Sequence, residues 1–170
     1  MKKQVAVVCG GYSGEFDISM KSAQYPLKHV DTEKYDLWQV VLQKHRWYAL
    51  VNGEKWPIDR EDFSVSYANE RINFDVVLNM IHGHPGENGT LEGYFDLLDI
   101  PYQSAGVFVS SLTFDKFYCN NMLRSLGVQV APSILFTVPS GQNAVEVIEK
   151  IGFPCFVKPN NGGSSIGVSK

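Results

Sequence analysis

The chain has no apolar run long enough to cross a bilayer as a helix, and Met1-Lys2-Lys3 leads straight into a short apolar segment. A signal peptide would show a longer apolar core and a cleavage site there. Basic residues are not in excess: 15 Lys and Arg stand against 18 Asp and Glu, a net charge of −3. That balance gives no general attraction to nucleic acid or to an anionic membrane, so neither is expected as a partner. Cysteine is scarce. Cys9, Cys119 and Cys155 are odd in number and far apart, and each sits in an apolar pattern. They read as buried free thiols of a reducing compartment, which points to the cytoplasm, and they form no zinc spacing. Repeats and low-complexity segments are missing too.

What is present is a core. Apolar residues make up 44% of the 170 and aromatic residues 12%, enough for one large domain or for one domain with part of another. Gln4 to Cys9 is a near-continuous apolar run ending in Gly10-Gly11, the pattern of a strand buried on both faces. Ile18, Met20, Ala23, Leu27 and Val30 recur at helical spacing, and Pro26 is expected to kink that helix or end it near Gln24. Tyr35 to Leu42 reads as a second strand. Trp47, Ala49 and Val51 alternate up to Asn52-Gly53, a type I′ hairpin signal. Residues 58–72 are polar and aperiodic and read as a variable surface segment. Phe74 to Ile81 is a third buried strand, followed by a loop from His82 to Gly89 and a helix carrying Leu91, Tyr94, Phe95 and Leu98. A short strand at Pro101 to Ser104, a helix from Phe114 to Leu126, a strand from Ser133 to Val138, a helix from Ala144 to Ile151 and a strand from Phe153 to Lys158 complete the reading. The first part predicts an open, mostly parallel α/β sheet, with a boundary near residues 104–115.

In such sheets ligands sit at the carboxyl ends of strands. Two loops occupy that position. Gly10-Gly11-Tyr12-Ser13-Gly14-Glu15 lies between a strand and a helix, but its glycine spacing is not the dinucleotide fingerprint G-x-G-x-x-G, which argues against NAD. Its functional reading is a helix entrance facing an anion or zwitterion, with Glu15 as a carboxylate in the site; its plain reading is a glycine turn. His82-Gly83-His84 lacks a third metal ligand at readable spacing, so no metal is assigned, and His82 is a candidate to meet a substrate carboxylate. Glu87 either binds an amine or organises the turn. At the far end, Phe156-Val157-Lys158-Pro159 delivers a lysine into Asn160-Asn161-Gly162-Gly163-Ser164-Ser165, a Gly/Ser turn whose backbone N–H groups suit phosphate oxygens. An unpaired buried ammonium is costly, so a phosphate partner explains Lys158. Lys116, after Asp115, opens a helix and alone carries little signal.

Taken in order, these motifs resemble the amino-terminal part of the D-alanine:D-alanine ligases of the ATP-grasp superfamily. The matching residues are Gly10 to Glu15 with Ile18-Ser19 and Lys21-Ser22; His82-Gly83 with Gly86 to Gly93; Ile100-Pro101-Tyr102; Asp115-Lys116; and Val157-Lys158-Pro159 with Gly163 to Lys170. The resemblance implies a pre-ATP-grasp α/β domain over residues 1–110, holding the first D-alanine site, and a truncated α+β ATP-grasp segment over 111–170. It implies ATP-dependent joining of two D-alanines through an acylphosphate for peptidoglycan synthesis, with D-alanine and ATP as substrates, Mg2+ as cofactor and a homodimer as the assembly. By resemblance Glu15 binds the first D-alanine's ammonium and His82 meets its carboxylate. Lys116 and Lys158 hold ATP phosphates, and Ser164, beside Ser165 in the Gly/Ser loop, links to the Glu15 network. Metal ligands and the adenine pocket are expected beyond residue 170, so the chain alone is expected to be inactive. A D-alanine:D-lactate ligase, or a non-catalytic dimerisation module, is the alternative.

Overall fold

A computed structural model describes residues 2–137 and 144–170. They pack as two units, Met1–Ser110 and Ser111–Lys170. The first is built on strand β1, Lys3–Gly10, whose last six residues are buried. β1 pairs in parallel with β2, Tyr35–Gln43, on one side and with β7, Val76–Asn79, on the other. Both of its faces are covered. Ala6 and Val8 join a core with Val40, Leu42, Leu91 and Phe95. Val7 and Cys9 join a second core with Ala23, Val41 and Tyr48. That is why the sequence of β1 does not alternate. Burial pushes the Cys9 thiol up to about 11, so it is an inert packing group.

Helix α1, Phe16–His29, covers one face with Ser19, Ala23 and Pro26. The break expected near Gln24 does not occur. Pro26 lies in the last turn, its ring is buried, and its carbonyl accepts the Val30 N–H at 3.0 Å. Only one intrahelical bond is lost there, and burial of the ring on the sheet offsets it. The Ser19 hydroxyl accepts from the Gly10 N–H at 2.8 Å and donates to the Met80 carbonyl at 2.7 Å, fastening the ends of β1 and β7 to α1.

The other side of β2 carries an antiparallel meander. It comprises β3, Arg46–Val51, β4, Glu54–Asp59, β5, Ser64–Tyr67, and β6, Glu70–Ile72. Asn52 and Gly53 have φ of 52° and 83° and join β3 to β4 as a two-residue hairpin. Residues 58–72 are therefore mostly strand and tight turn within the sheet, not a variable surface segment. Ala68 and Asn69, with φ of 50° and 67°, make a second two-residue turn that their sequence does not advertise. Phe63 and Val65 face the core. With β8, Tyr102–Gln103, parallel to β7, the strand order is β6-β5-β4-β3-β2-β1-β7-β8. The sheet is thus mixed, with its parallel strands confined to one end.

Helix α2, Thr90–Leu97, follows the loop after β7. Its Glu92 is 1% exposed, with Oε1 3.3 and 3.4 Å from the Ser104 and Ser110 hydroxyls. Oε2 has no hydrogen-bond partner. Burial raises the pKa of this carboxyl, against weaker opposing bonds from backbone and serines. The native state therefore binds its proton more tightly than the unfolded chain. Its stabilising effect is complete below the ordinary Glu value and is lost as pH rises through the raised one. Glu92→Gln is expected to flatten that decline, seen as a higher urea midpoint than wild type at pH 8 and a smaller difference at pH 4.

The helix expected over 114–126 is α4, Lys116–Ser125, and a further helix that the sequence did not suggest, α3, Val107–Phe114, precedes it; Asp115 between them is extended, and its side chain accepts the Tyr118 N–H at 2.9 Å as the cap of α4. Helix α5, Ala144–Ile151, lies where the periodicity predicts. Residues 133–137 form no strand, having no ladder partner among the described residues; Val138 lies outside them. The strand expected over Phe153 to Lys158 shrinks to one bridge. Val157 and Ser169 exchange both backbone bonds at 2.9 Å, while Pro154 and Pro159 remove the neighbouring donors.

Candidate functional site

The topology places two loops side by side. The chain leaves β1 for β2 on one side and returns as β7 on the other, so β1 is the switch point where a crevice opens at the strands' carboxyl ends. Gly10 ends β1 with φ of 92°, and a Cβ there would lie 2.7 Å from the Leu42 carbonyl oxygen. Only glycine allows the Gly11 N–H to reach that same oxygen at 2.9 Å. The turn then crosses to the loop after β7. The Tyr12 N–H donates to the His84 carbonyl at 2.9 Å.

Ser13 joins the candidate residues. Its hydroxyl donates to the His82 carbonyl at 2.8 Å and accepts from the Glu15 N–H at 3.2 Å. Glu15 occupies the N-cap position of α1, is 6% exposed, and makes no side-chain cap bond. Its carboxylate reaches toward Gly83. A Cβ on Gly83, whose φ is 74°, would stand 3.5 Å from Glu15 Oε2 and 2.9 Å from the Ser13 hydroxyl. The structure thus brings Glu15 and the His82-Gly83 turn to one place.

His82 is aimed from α1. Its Nε2 lies 3.0 Å from the Ser22 hydroxyl, whose one proton goes to the Ile18 carbonyl at 3.0 Å. Ser22 thus ties the imidazole to α1. Glu87 organises the turn, accepting the Gly83 N–H at 2.7 Å. Asn79 braces the same loop, donating to the Gly86 carbonyl at 2.7 Å and accepting the Ile81 N–H at 3.1 Å. The contacts of Ser13, Ser22 and Asn79 escape a sequence reading because a short polar side chain looks the same whether it is solvated or bonded.

The second unit holds a separate concavity of about 290 Å³, lined by Lys116, Lys158, Gly162, Gly163, Ser164 and Ser165 among others. Ser164 and Ser165 have φ of 51° and 58°, and the Ile166 N–H donates to the Gly163 carbonyl at 3.2 Å, which closes the turn. Lys116 Nζ donates to the Gly162 carbonyl at 2.6 Å and to that of Asn160 at 3.3 Å. Lys158 Nζ lies 5.6 Å from the centre of the Phe156 ring. Asn160 locks the turn to α4, donating to Asp115 Oδ2 at 2.7 Å and accepting the Phe117 N–H at 2.9 Å. Two ammonium groups over a turn of small residues form a cradle for anionic oxygens. Among the described residues no three His, Cys, Asp or Glu side chains converge as a metal site, and no helix is long and apolar enough to cross a membrane.

Comparison with known proteins matches residues 4–105 to the family described as D-ala D-ala ligase N-terminus, and residues 122–170 to D-ala D-ala ligase C-terminus. The D-alanine--D-alanine ligase of Phocaeicola vulgatus is 50% identical over all of this chain and 53% of its own length. The chain thus spans about half the length of the curated relatives it matches. The crystal structure of VanG D-Ala:D-Ser ligase from Enterococcus faecalis superposes with a TM-score of 0.84 at 27% identity, over 99% of this chain and 55% of that one. D-alanine--D-alanine ligase from Bacillus anthracis complexed with ATP superposes with a TM-score of 0.72 at 26% identity, over 96% of this chain and 49% of that one.

Proposed function

This chain belongs to the D-alanine–D-alanine ligase family, and we propose that its first unit binds the first D-alanine while its second binds the phosphates of ATP. The observation that carries this is the meeting of Glu15 with the His82-Gly83 turn at the switch point of the sheet. A buried carboxylate is the natural counter-charge for an ammonium. A ring N–H of His82, the imidazole being tied to α1 through Ser22, is the donor for the carboxylate of the same zwitterion. The Lys116 and Lys158 cradle supports the second half, and the likeness to a ligase complexed with ATP supports the choice of nucleotide.

In the complete protein, a carboxylate oxygen of D-alanine attacks the γ-phosphorus of ATP and ADP leaves. The amine of a second D-alanine then attacks the acyl carbon, phosphate departs with the bonding pair, and the nitrogen loses its proton. The dipeptide serves peptidoglycan synthesis. What the residues of this chain contribute is alignment and charge neutralisation, the main requirements of phosphoryl transfer between anions. The Gly/Ser turn is the segment suited to close over the phosphates and exclude water. Magnesium belongs to the proposal for the complete protein; the described residues show no ligand set for it. Ser164 and Ser165 are proposed as phosphate contacts. A cytoplasmic homodimer is part of the same reading.

The test is Lys158→Met. It removes a charge-assisted contact and is expected to weaken ATP binding by tenfold or more without moving D-alanine affinity. Unchanged ATP affinity overturns the assignment of the cradle. The likeness to a D-Ala:D-Ser ligase favours a second reading for the acceptor alone, which a screen of the complete protein with D-alanine, D-serine and D-lactate decides.

A further inference from the structure

One side chain of the meander reaches the glycine loop that carries Glu15. Trp47 lies on β3, paired with Leu42 of β2, whose carbonyl takes the Gly11 N–H. Its indole Nε1–H donates to the Tyr12 hydroxyl oxygen at 2.7 Å. Tyr12 in turn sets its ring edge-on to His84, centroids 5.4 Å apart and planes at 67°. His84 Nδ1 lies 2.9 Å from the Asn88 side-chain nitrogen. Trp47 itself is held from three sides. Tyr94 of α2 packs at 5.4 Å and Phe63 at 6.1 Å, both edge-on, and the Arg60 guanidinium stands 4.8 Å from its ring centre.

From this we infer that Trp47 and Tyr12 form a strut that sets the glycine loop against the loop after β7, and so act as positioning residues for the amino-acid ligand of Glu15 and His82. The inference rests on the reading of the first unit as the D-alanine site. The main-chain bond between the two loops, from Tyr12 to His84, fixes a point of contact but by itself leaves rotation about it. A short hydrogen bond from an aromatic ring anchored in the core removes that freedom. It matters because Glu15 lies three residues from Tyr12 and His82 two from His84, so a small tilt of either loop spreads the two ends of the zwitterion's site.

The experiment is a D-alanine titration of the 15N-labelled chain by NMR, with Trp47→Phe and Tyr12→Phe beside wild type. Trp47→Phe keeps a ring in the cluster and loses the donor. Tyr12→Phe keeps the ring on His84 and loses the acceptor. In wild type the amides of Glu15 and Gly83 and the Trp47 Nε1–H shift together as D-alanine is added. Each single variant is expected to raise the dissociation constant about fivefold, the worth of one hydrogen bond. The double variant should be no weaker than either single one, because both remove the same bond. In Tyr12→Phe the ligand-induced shift of the Trp47 indole should vanish, a signature that a loss of overall stability does not produce. Wild-type affinity in both single variants overturns the strut and leaves the D-alanine site standing. No shift at Glu15 or Gly83 in wild type overturns the site itself, and the strut's role with it.

Discussion

Glu15→Gln is expected to weaken binding of the first D-alanine by about 10- to 100-fold, the loss of a charge-assisted bond worth roughly 1.5–3 kcal/mol. The substitution keeps shape and volume, so packing at the start of α1 should hold. The Glu15 carboxylate makes no cap bond, so the helix entrance does not depend on it as a cap, and the dipole interaction lost with its charge is below about 1 kcal/mol. The large effect therefore falls on the ligand. In a complete ligase it should appear as a raised KM for the first D-alanine, with ATP affinity unchanged, while the same variant's urea midpoint stays close to wild type. A variant with wild-type KM would remove Glu15 from the site.

Phe63→Ala should be the most destabilising single change in the first unit, at about 3–5 kcal/mol. Phe63 is fully buried. Its ring meets Phe95 at 4.9 Å, Phe74 at 5.5 Å, Tyr94 at 6.0 Å and Trp47 at 6.1 Å. It ties the meander to α2 across the sheet's face. Truncation leaves a cavity bounded by rigid rings, which collapse poorly. A small domain is stable by roughly 5–15 kcal/mol, so the loss takes a large share of the total. Urea unfolding at pH 7 measures it, with Phe63→Leu as a milder comparison. A change below 1 kcal/mol in the alanine variant would mean that the meander packs independently of α2.

The sequence made some of this legible and hid the rest for identifiable reasons. β1 was readable because burial on both faces leaves a continuous apolar run, and Asn52-Gly53 because a two-residue turn with φ above zero favours those residues. The β5–β6 hairpin was not, since Ala68-Asn69 adopts the same backbone without the usual glycine, and the polar residues around Phe63 mask its burial. The helix α3 was not legible because Val107 to Phe114 sets apolar residues among Ser110, Ser111 and Thr113 with no clear helical period. Glu15 and His82 in the first unit, and Lys158 in the second, stood out as ionisable residues beside glycine turns. Ser13, Ser22, Tyr12 and Trp47 are defined by partners 30 to 70 residues away, and no local pattern carries that information.

The outer rim of the meander also limits how these molecules meet one another. β6 is three residues long, Glu70-Arg71-Ile72, and Arg71 is held by Asp59 and Asp62 from within its own chain. A border so brief, charged and already engaged offers a neighbour's strand little to zip onto. At the opposite rim, β8 ends after two residues. Along both of its rims the sheet of the first unit thus gives little template for growing fibrils in crowded solution.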